Sequence, residues 1–231
     1  MKKDKIQLWM PLKNAILTQG YYENANSWYK EHDMLGHGAY DYVTHYDDKV
    51  LFAEDGFVYK IINKDADISK FRAVFQLVEL EDNYVLEICY GHANSILVGN
   101  AYYNHGIPCI TEGNSGGVFS DGKAVSVEAR EKGSQAGTHL HIQGRLCRKT
   151  KESIAVLSPD RLPQYLSSQD DATKPYQDKD GFIYNVVDYY NGYHGCAPIE
   201  WIKYDTNNQA IIKLIAVLEF IISILKGRLL K

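Results

Sequence analysis

The sequence predicts a mostly β fold, α+β overall, on three observations. Residues 84–90 form an apolar run whose alternation is typical of a strand, and residues 138–142 alternate histidine with leucine and isoleucine. Tyrosine, a common strand residue, occurs 18 times among the 231 residues. A long helical pattern appears only towards the end of the chain, where residues 210–225 are almost wholly apolar.

Each of the other elements has its own signal. Residues 36–43 are too rich in glycine, tyrosine and valine for a helix, which favours a turn that runs into a strand. Residues 178–181 resemble a turn, and the apolar residues 182–187 after it predict another strand. In residues 210–225 apolar side chains recur every seven positions, so one face of the predicted helix is continuously apolar.

Two histidines, His139 and His141, stand one residue apart in the predicted strand of residues 138–142. Side chains two apart in a strand project to the same face, so both imidazoles can share one polar site. Leu140 and Ile142 are expected on the opposite face, where they would pack. Such a pair also occurs on surfaces without any function, so a metal site needs further ligands.

The candidates for those ligands are His37, Asp41 and His92. The turn before the first predicted strand can bring His37 and Asp41 onto one cation, and zinc accepts this mixture of nitrogen and oxygen ligands. One histidine of the pair would complete the three protein ligands of a catalytic zinc site. His92 follows a predicted strand, where functional side chains are often displayed, although a histidine there is also commonly a hydrogen-bonded structural residue.

These motifs, in this order and spacing, resemble the lysostaphin-type zinc metallopeptidases, which cut cross-bridges and stem peptides of peptidoglycan. Members carry His-x-x-x-Asp, then a small residue and histidine after a strand, then His-x-His, which correspond here to residues 37–41, 91–92 and 139–141. The glycine-rich residues 113–117 resemble one of the family's turns. The resemblance covers about residues 20–148, and the combination is far more specific than any single motif.

The resemblance implies an antiparallel β-sheet core and an active metalloendopeptidase. Position by position, it implies that one zinc ion per chain is held by His37, Asp41 and His141. His92 and His139 would be the catalytic residues, which orient water, exchange protons and stabilise an oxyanion. The partner that it implies is bacterial peptidoglycan.

The chain departs from the family's pattern at two places. The family has glycine two positions after the first histidine, whereas this chain has Ala39 there and Gly38 before it. Residues 121–135 are longer and more charged than the usual loop before His-x-His. We expect this segment and residues 65–70 to govern whether glycine cross-bridges or stem peptides are cut. The departures concern substrate contacts rather than metal binding, because every expected ligand type is present.

Net charge and cysteine spacing argue against two further kinds of binding site. The formal net charge of −4 argues against nonspecific nucleic-acid binding. No Cys-x-x-Cys spacing occurs, which argues against a four-thiolate zinc site. His32 and His45 flank the first motif and are candidate supports for the metal ligands. The sequence is compatible with disulfides and with free buried thiols for the four cysteines, Cys89, Cys109, Cys147 and Cys196.

Around the predicted peptidase domain of residues 20–148 we expect an N-terminal segment of residues 1–19, a C-terminal extension of residues 149–208 and an apolar helix of residues 209–231. The apolar run is short for a membrane span and carries charges. Packing on its own domain, homo-oligomer formation or virion contacts through the helix are therefore favoured over membrane contact.

The first residues show no secretory signal, because the apolar stretch after the basic start is interrupted by proline, lysine and asparagine. A peptidoglycan hydrolase of this kind is expected in a phage virion or released from the host cell as a lysin. The alternative is a non-catalytic structural or assembly protein, such as a phage tail component, that uses a peptidase-like fold for binding.

Overall fold

The computed structural model describes residues 6–21, 23, 28–31, 36–80, 84–149, 176–177, 183–186, 189–190, 193–194 and 199–202. Within them the strands are, in chain order, β1 Ile6–Trp9, β2 Ile16–Gln19, β3 Tyr40–Val43, β4 Lys49–Leu51, β5 Gly56–Ile62, β6 Ala73–Glu79, β7 Tyr84–Gly91, β8 Tyr102–Tyr103, β9 Pro108–Thr111, β10 Phe119–Ser120, β11 Lys123–Ala124, β12 Leu140–Lys149, β13 Tyr176–Gln177, β14 Ile183–Val186, β15 Tyr189–Tyr190, β16 Tyr193–His194 and β17 Ile199–Ile202. Two short helices accompany them, α1 Trp28–Glu31 and α2 Val127–Glu131.

An antiparallel sheet of nine strands forms the centre of the molecule, which confirms the predicted fold class. Its main order is β13-β14-β12-β7-β6-β5-β8. The long strand β12 pairs with β7 on one side, and on the other side first with β3 and then with β14. Because β3 joins the beginning of β12, the first and last histidine motifs of the sequence become neighbours.

The main core lies on one face of this sheet. Leu86, Ile88 and Tyr90 of β7 and Leu140 and Ile142 of β12 are all fully buried in it. Burial of such side chains stabilises the fold by roughly 1.5–3 kcal/mol each for aliphatic and aromatic residues of this size. The placement of Leu140 and Ile142 confirms that the strand alternates between packing and a second face.

The second face carries a smaller cluster that includes ionisable groups. Glu87 and Arg145 are register partners on β7 and β12, and both are buried. Burial raises the pKa of the Glu87 carboxyl to about 6, although Arg145 and the Tyr59 hydroxyl, which donates to this carboxyl, oppose the rise. His141 lies on this face, four residues before Arg145. The apolar members of the cluster are Phe57, Tyr59, Ala73, Phe75, Leu77, Val85 and Cys89.

Segments far apart in the sequence close the main core. β1 pairs in parallel with β17, so that Ile6 lies opposite Ile199. Leu8 and Leu12 are buried in the core together with Ile199. Both strands lie outside residues 20–148, whose boundaries as a domain stay a prediction.

Several other sequence predictions can be placed on the fold. β7 and β14 coincide with the strands predicted at residues 84–90 and 182–187. Cys89 and Cys109 are free and buried, whereas the side chains of Cys147 and Cys196 lie outside the described part. The predicted apolar helix of residues 209–231 also lies outside it. Among the residues that the structure describes, no helix is long and apolar enough to cross a membrane.

Candidate metal centre

His37, Asp41 and His141 converge beside the point where β3 meets β12. Asp41 is the register partner of His141, and His37 precedes β3 by a short turn. His37 Nε2 lies 3.3 Å from Asp41 Oδ1 and 3.3 Å from His141 Nδ1, and Asp41 Oδ1 lies 3.0 Å from His141 Nδ1. One ligand atom from each side chain therefore faces a common point.

This donor set fits zinc. Two imidazole nitrogens and one carboxylate oxygen are the kind of three-ligand set that catalytic zinc sites use, with a further position left open. In a tetrahedral site with bonds of about 2.0–2.1 Å, neighbouring ligand atoms lie about 3.3 Å apart. The separations among His37, Asp41 and His141 are close to that value, so the three side chains need little movement to hold the ion.

The ring of His37 is oriented by its other nitrogen. Its Nδ1 lies 3.3 Å from the Gly20 carbonyl oxygen, and donation of the Nδ1 proton to that oxygen leaves the Nε2 lone pair for the metal site. The Tyr29 ring packs against His37 with the centroids 5.9 Å apart. Burial, followed by the charge of Asp41, raises the pKa of Tyr29 to about 12, so its hydroxyl stays protonated beside the site.

Asp41 is ionised despite being only 8% exposed. Burial alone would raise the pKa of its carboxyl, but the imidazoles of His141 and His37, whose ring nitrogens lie 3.0 and 3.3 Å from Oδ1, outweigh burial together with His139 and hold the pKa well below its ordinary value. The carboxylate therefore brings a negative charge to the cluster, which is what a cation requires there.

His92 comes directly after β7 in a left-handed backbone conformation, with φ of 61°. Its Nδ1 lies 2.6 Å from the Ser115 carbonyl oxygen, and the Phe71 ring meets its ring edge to face with the centroids 4.8 Å apart. Burial lowers the pKa of His92 well below its ordinary value, and the neighbouring His139 and His141 lower it further. The imidazole is therefore neutral at neutral pH, with the Nδ1 proton on the carbonyl side.

His139 stands beside His92, with the ring centroids 4.3 Å apart. Its Nδ1 lies 2.9 Å from the Gly137 carbonyl oxygen, and its Nε2 lies 3.7 Å from Asp41 Oδ2. Its backbone N–H donates to the Gly113 carbonyl at 3.1 Å. Burial lowers the pKa of His139, although Asp41 opposes the shift. This ring too is neutral at neutral pH and presents Nε2 to the cluster.

The structure thus brings all five predicted site residues into one place. Three of them offer ligand atoms around a single point, and two stand beside that point as neutral imidazoles with a lone pair on Nε2. A neutral imidazole can accept a proton and later release it, which is the requirement for general acid and base catalysis. The residues concerned are His37, Asp41, His92, His139 and His141.

Residues that orient the site were not predicted from the sequence. The carbonyls of Gly20, Ser115 and Gly137 accept hydrogen bonds from the Nδ1 atoms of three histidines. Every residue has a backbone carbonyl, so these acceptors cannot be recognised from the residue type. Only the glycine-rich residues 113–117 gave a signal, because they indicated a turn. The candidate support His45 is instead exposed, with its ring nitrogen 3.3 Å from Asp48. His32 lies outside the described residues.

A second group of potential ligands consists of Glu54, Asp55 and His105. Its geometry has a structural explanation, because Asp55 Oδ1 accepts hydrogen bonds from both the backbone N–H and the ring Nδ1 of His105, each at 2.7 Å. Glu54 in turn accepts the backbone N–H of Asp55 at 3.0 Å. These bonds stabilise the turn that contains His105.

No protein-family model and no curated protein sequence matches this chain. Among solved structures, the chain is similar to the catalytic domain of a point mutant of the prophage-encoded M23 protein EnpA from Enterococcus faecalis, with 16% identity and a TM-score of 0.39. The match covers 58% of this chain and 82% of that one.

Two further solved structures are similar. Csd3 from Helicobacter pylori is 15% identical with a TM-score of 0.37, over 61% of this chain and 30% of Csd3. A zinc-containing peptidase from Vibrio cholerae is 18% identical with a TM-score of 0.39, over 59% of this chain and 35% of the peptidase. The chain thus spans about a third of the length of these two proteins.

Proposed function

We propose that this chain is a zinc-dependent endopeptidase of the lysostaphin type that hydrolyses peptide bonds in bacterial peptidoglycan. The observation that carries the proposal is the convergence of His37 Nε2, Asp41 Oδ1 and His141 Nδ1 within 3.3 Å of one another, with His92 and His139 beside them. The sequence motifs that these residues form, and their order, support the choice of family. Peptidoglycan as the substrate comes from the same resemblance.

The chain's own residues have distinct roles in this proposal. His37, Asp41 and His141 hold the zinc ion. Zinc, when bound, lowers the pKa of water towards neutrality and polarises a carbonyl group. His139 accepts a proton at Nε2, and the Asp41 carboxylate 3.7 Å away stabilises the imidazolium that results. His92, fixed by the Ser115 carbonyl, presents its Nε2 to the same space and orients water or donates to a developing oxyanion when protonated.

The test is the release of new amino groups from purified peptidoglycan by the zinc-loaded protein, with and without chelator. Wild type should release amino groups in a chelator-sensitive way, and His139→Ala and His92→Ala should abolish release. His45→Ala is the matched control, because this histidine is exposed and lies outside the cluster. Its activity should equal that of wild type.

A wild-type protein that binds zinc stoichiometrically yet releases no amino groups would contradict the proposal. That result would favour the non-catalytic assembly protein that uses the peptidase-like fold for binding. Mass spectrometry of the released fragments then identifies the bond that is cut. Delivery by a phage virion is a separate prediction of the sequence.

A further inference from the structure

Residues 118–133, which we call the insert, join two loops of the candidate active site, the loop of residues 113–117 and the loop of residues 134–138. They contain the hairpin of β10 and β11, followed by α2, whose N-terminus is capped by the Ser126 side chain. β11 and α2 lie within residues 121–135, where the sequence departs from the family's pattern. The helix α2 carries one buried side chain, Arg130, which is 5% exposed.

The Arg130 guanidinium binds two backbone carbonyls in different loops. One of its terminal nitrogens donates to the Ile68 carbonyl at 3.0 Å and to the Asn114 carbonyl at 2.5 Å. The same Ile68 carbonyl accepts the backbone N–H of Gly116 at 2.8 Å. Arg130 therefore ties the loop of residues 113–117 to the loop of residues 65–70 through charge-assisted hydrogen bonds.

Asn114 extends this connection to the second loop. Its side chain is fully buried, and its Nδ2 donates to the Ser134 carbonyl at 2.9 Å and to the Ala136 carbonyl at 3.0 Å. One residue thus receives a hydrogen bond from Arg130 through its backbone and holds the loop of residues 134–138 through its side chain.

Both histidines beside the metal centre are held by carbonyls next to these contacts. The acceptor for His92 Nδ1 is the Ser115 carbonyl, one residue after Asn114. The acceptor for His139 Nδ1 is the Gly137 carbonyl, one residue after Ala136. Any shift of either loop therefore moves the group that fixes the tautomer and orientation of a histidine ring.

We propose that Arg130, in the segment of residues 118–133, and Asn114, in the loop of residues 113–117, are positioning residues that fix His92 and His139 relative to each other. We call this pair of side chains with its bonded carbonyls the insert brace. The inference rests on the proposed function, because it assigns the brace to catalysis. The metal ligands should not depend on it, since His37 and Asp41 belong to the β3 region and His141 to β12.

The test compares Arg130→Met, which keeps the apolar stem and loses the donors, with the conservative Arg130→Lys. The matched control is Lys132→Met on the same helix, whose side chain is 72% exposed and pairs only with Glu128 among the described residues. Arg130→Met should retain full zinc stoichiometry and a KM within about twofold of wild type, while kcat falls roughly ten- to hundred-fold, as expected when catalytic groups are misplaced by a fraction of an ångström or more. Arg130→Lys should recover part of kcat, and Lys132→Met should match wild type.

A second readout does not depend on turnover. In protein labelled with ¹⁵N-histidine, solvent exchange of the His92 Nδ1 proton should be roughly ten-fold faster in Arg130→Met than in wild type, because a charged hydrogen bond that secures its acceptor loop is lost. The His37 Nδ1 proton is the internal reference, since its acceptor, Gly20, lies far from the insert in sequence. Asn114→Asp, which replaces the donor by an acceptor, should accelerate exchange of the His139 Nδ1 proton.

Equal kcat and equal proton exchange in Arg130→Met and Lys132→Met would overturn the proposal. Loss of zinc together with activity would also overturn it, because the brace would then support the whole fold. If Arg130→Met does not fold, Asn114→Asp decides the question by the same two readouts. If the wild-type protein has no peptidase activity, the proposed function is wrong. The proton-exchange measurement alone then shows whether the insert brace orients the two histidines.

Discussion

Asp41 and His141 are cross-strand partners, and Asp41 Oδ1 lies 3.0 Å from His141 Nδ1. Both side chains are attached to paired strands of the central sheet rather than to loops, so the backbone hydrogen bonds between β3 and β12 set their separation. His37 reaches the same point from the turn before β3. The fold itself therefore brings the three candidate ligand atoms together.

The carboxylate of Asp41 should be necessary for metal affinity. Asp41→Asn preserves the shape of the side chain and removes its negative charge, and we expect the zinc dissociation constant to rise by more than the roughly hundred-fold that loss of a supporting contact causes. Competition with a coloured chelator measures the constant. Asp48→Asn, at an exposed position beside His45, is the control and should bind zinc as wild type does. Equal affinity in the two variants would show that Asp41 is not a ligand.

The two histidines of the His-x-His motif should separate metal binding from catalysis. His141→Ala removes a ligand atom, and we expect metal analysis to find little zinc in the purified protein. His139→Ala should retain about one zinc ion per chain, because its imidazole stands beside the ligand cluster rather than in it, and should lose peptidase activity. The opposite pattern would mean that the roles of the two residues are exchanged.

Gly113 should tolerate no side chain. A Cβ atom there would lie 2.3 Å from the Asn94 backbone nitrogen and 2.7 Å from its Cα, and backbone atoms cannot move aside cheaply. We expect Gly113→Ala to lower the free energy of unfolding by about 2 kcal/mol or more. Gly117→Ala is the matched control in the same loop, because nothing lies within 4 Å of the position that a Cβ atom would take there. Urea denaturation should separate the two variants, and equal stability would contradict the close approach at Gly113.

Glu87 should make stability depend on pH in a defined direction. Its folded pKa of about 6 lies above its ordinary value of 4.5 because it is buried, so the folded protein binds the extra proton between these values. The stabilisation that the protonated Glu87 side chain contributes is therefore fully present below the ordinary pKa and is lost as the pH rises through about 6. The free energy of unfolding of wild type relative to Glu87→Gln should fall by about 1–2 kcal/mol over that rise.

Urea titrations of both proteins at about pH 4.5 and about pH 7.5 measure this difference. The comparison removes the contribution of the histidines, because both proteins carry them unchanged. Glutamine can still accept the hydrogen bond from the Tyr59 hydroxyl, so the variant tests the charge rather than the contact. A stability difference that does not change with pH would mean that Glu87 titrates normally.

The sequence was sufficient to predict that the five candidate residues lie close together. Strand periodicity places His139 and His141 on one face and Leu140 and Ile142 on the other, and the order of the motifs linked them to His37, Asp41 and His92. The positive φ of His92 could not be predicted, because a residue other than glycine rarely adopts that conformation.

The insert brace could not be predicted from the sequence either. A helix of five residues leaves too short a pattern to recognise, and a charged residue such as Arg130 is expected at the surface unless its partners are known. Its partners are backbone carbonyls, which every residue has. The candidate site residues were thus predictable from their type, whereas the residues that contact the neighbouring loops depend on tertiary structure.

The pairing of β1 with β17 has a consequence for how the chain folds during its synthesis. Gln7 and Glu200, neighbours across these two strands, are separated by 193 positions, so the ribosome must complete nearly the whole described chain before the strands can meet. Closing so long a loop is entropically costly and slow compared with forming the hairpins of β5 to β7. Until then Leu8 and Leu12 lack the partner strand that completes their packing. We therefore expect the nascent polypeptide to leave the apolar surface around Leu8 and Leu12 incomplete until β17 has been synthesised.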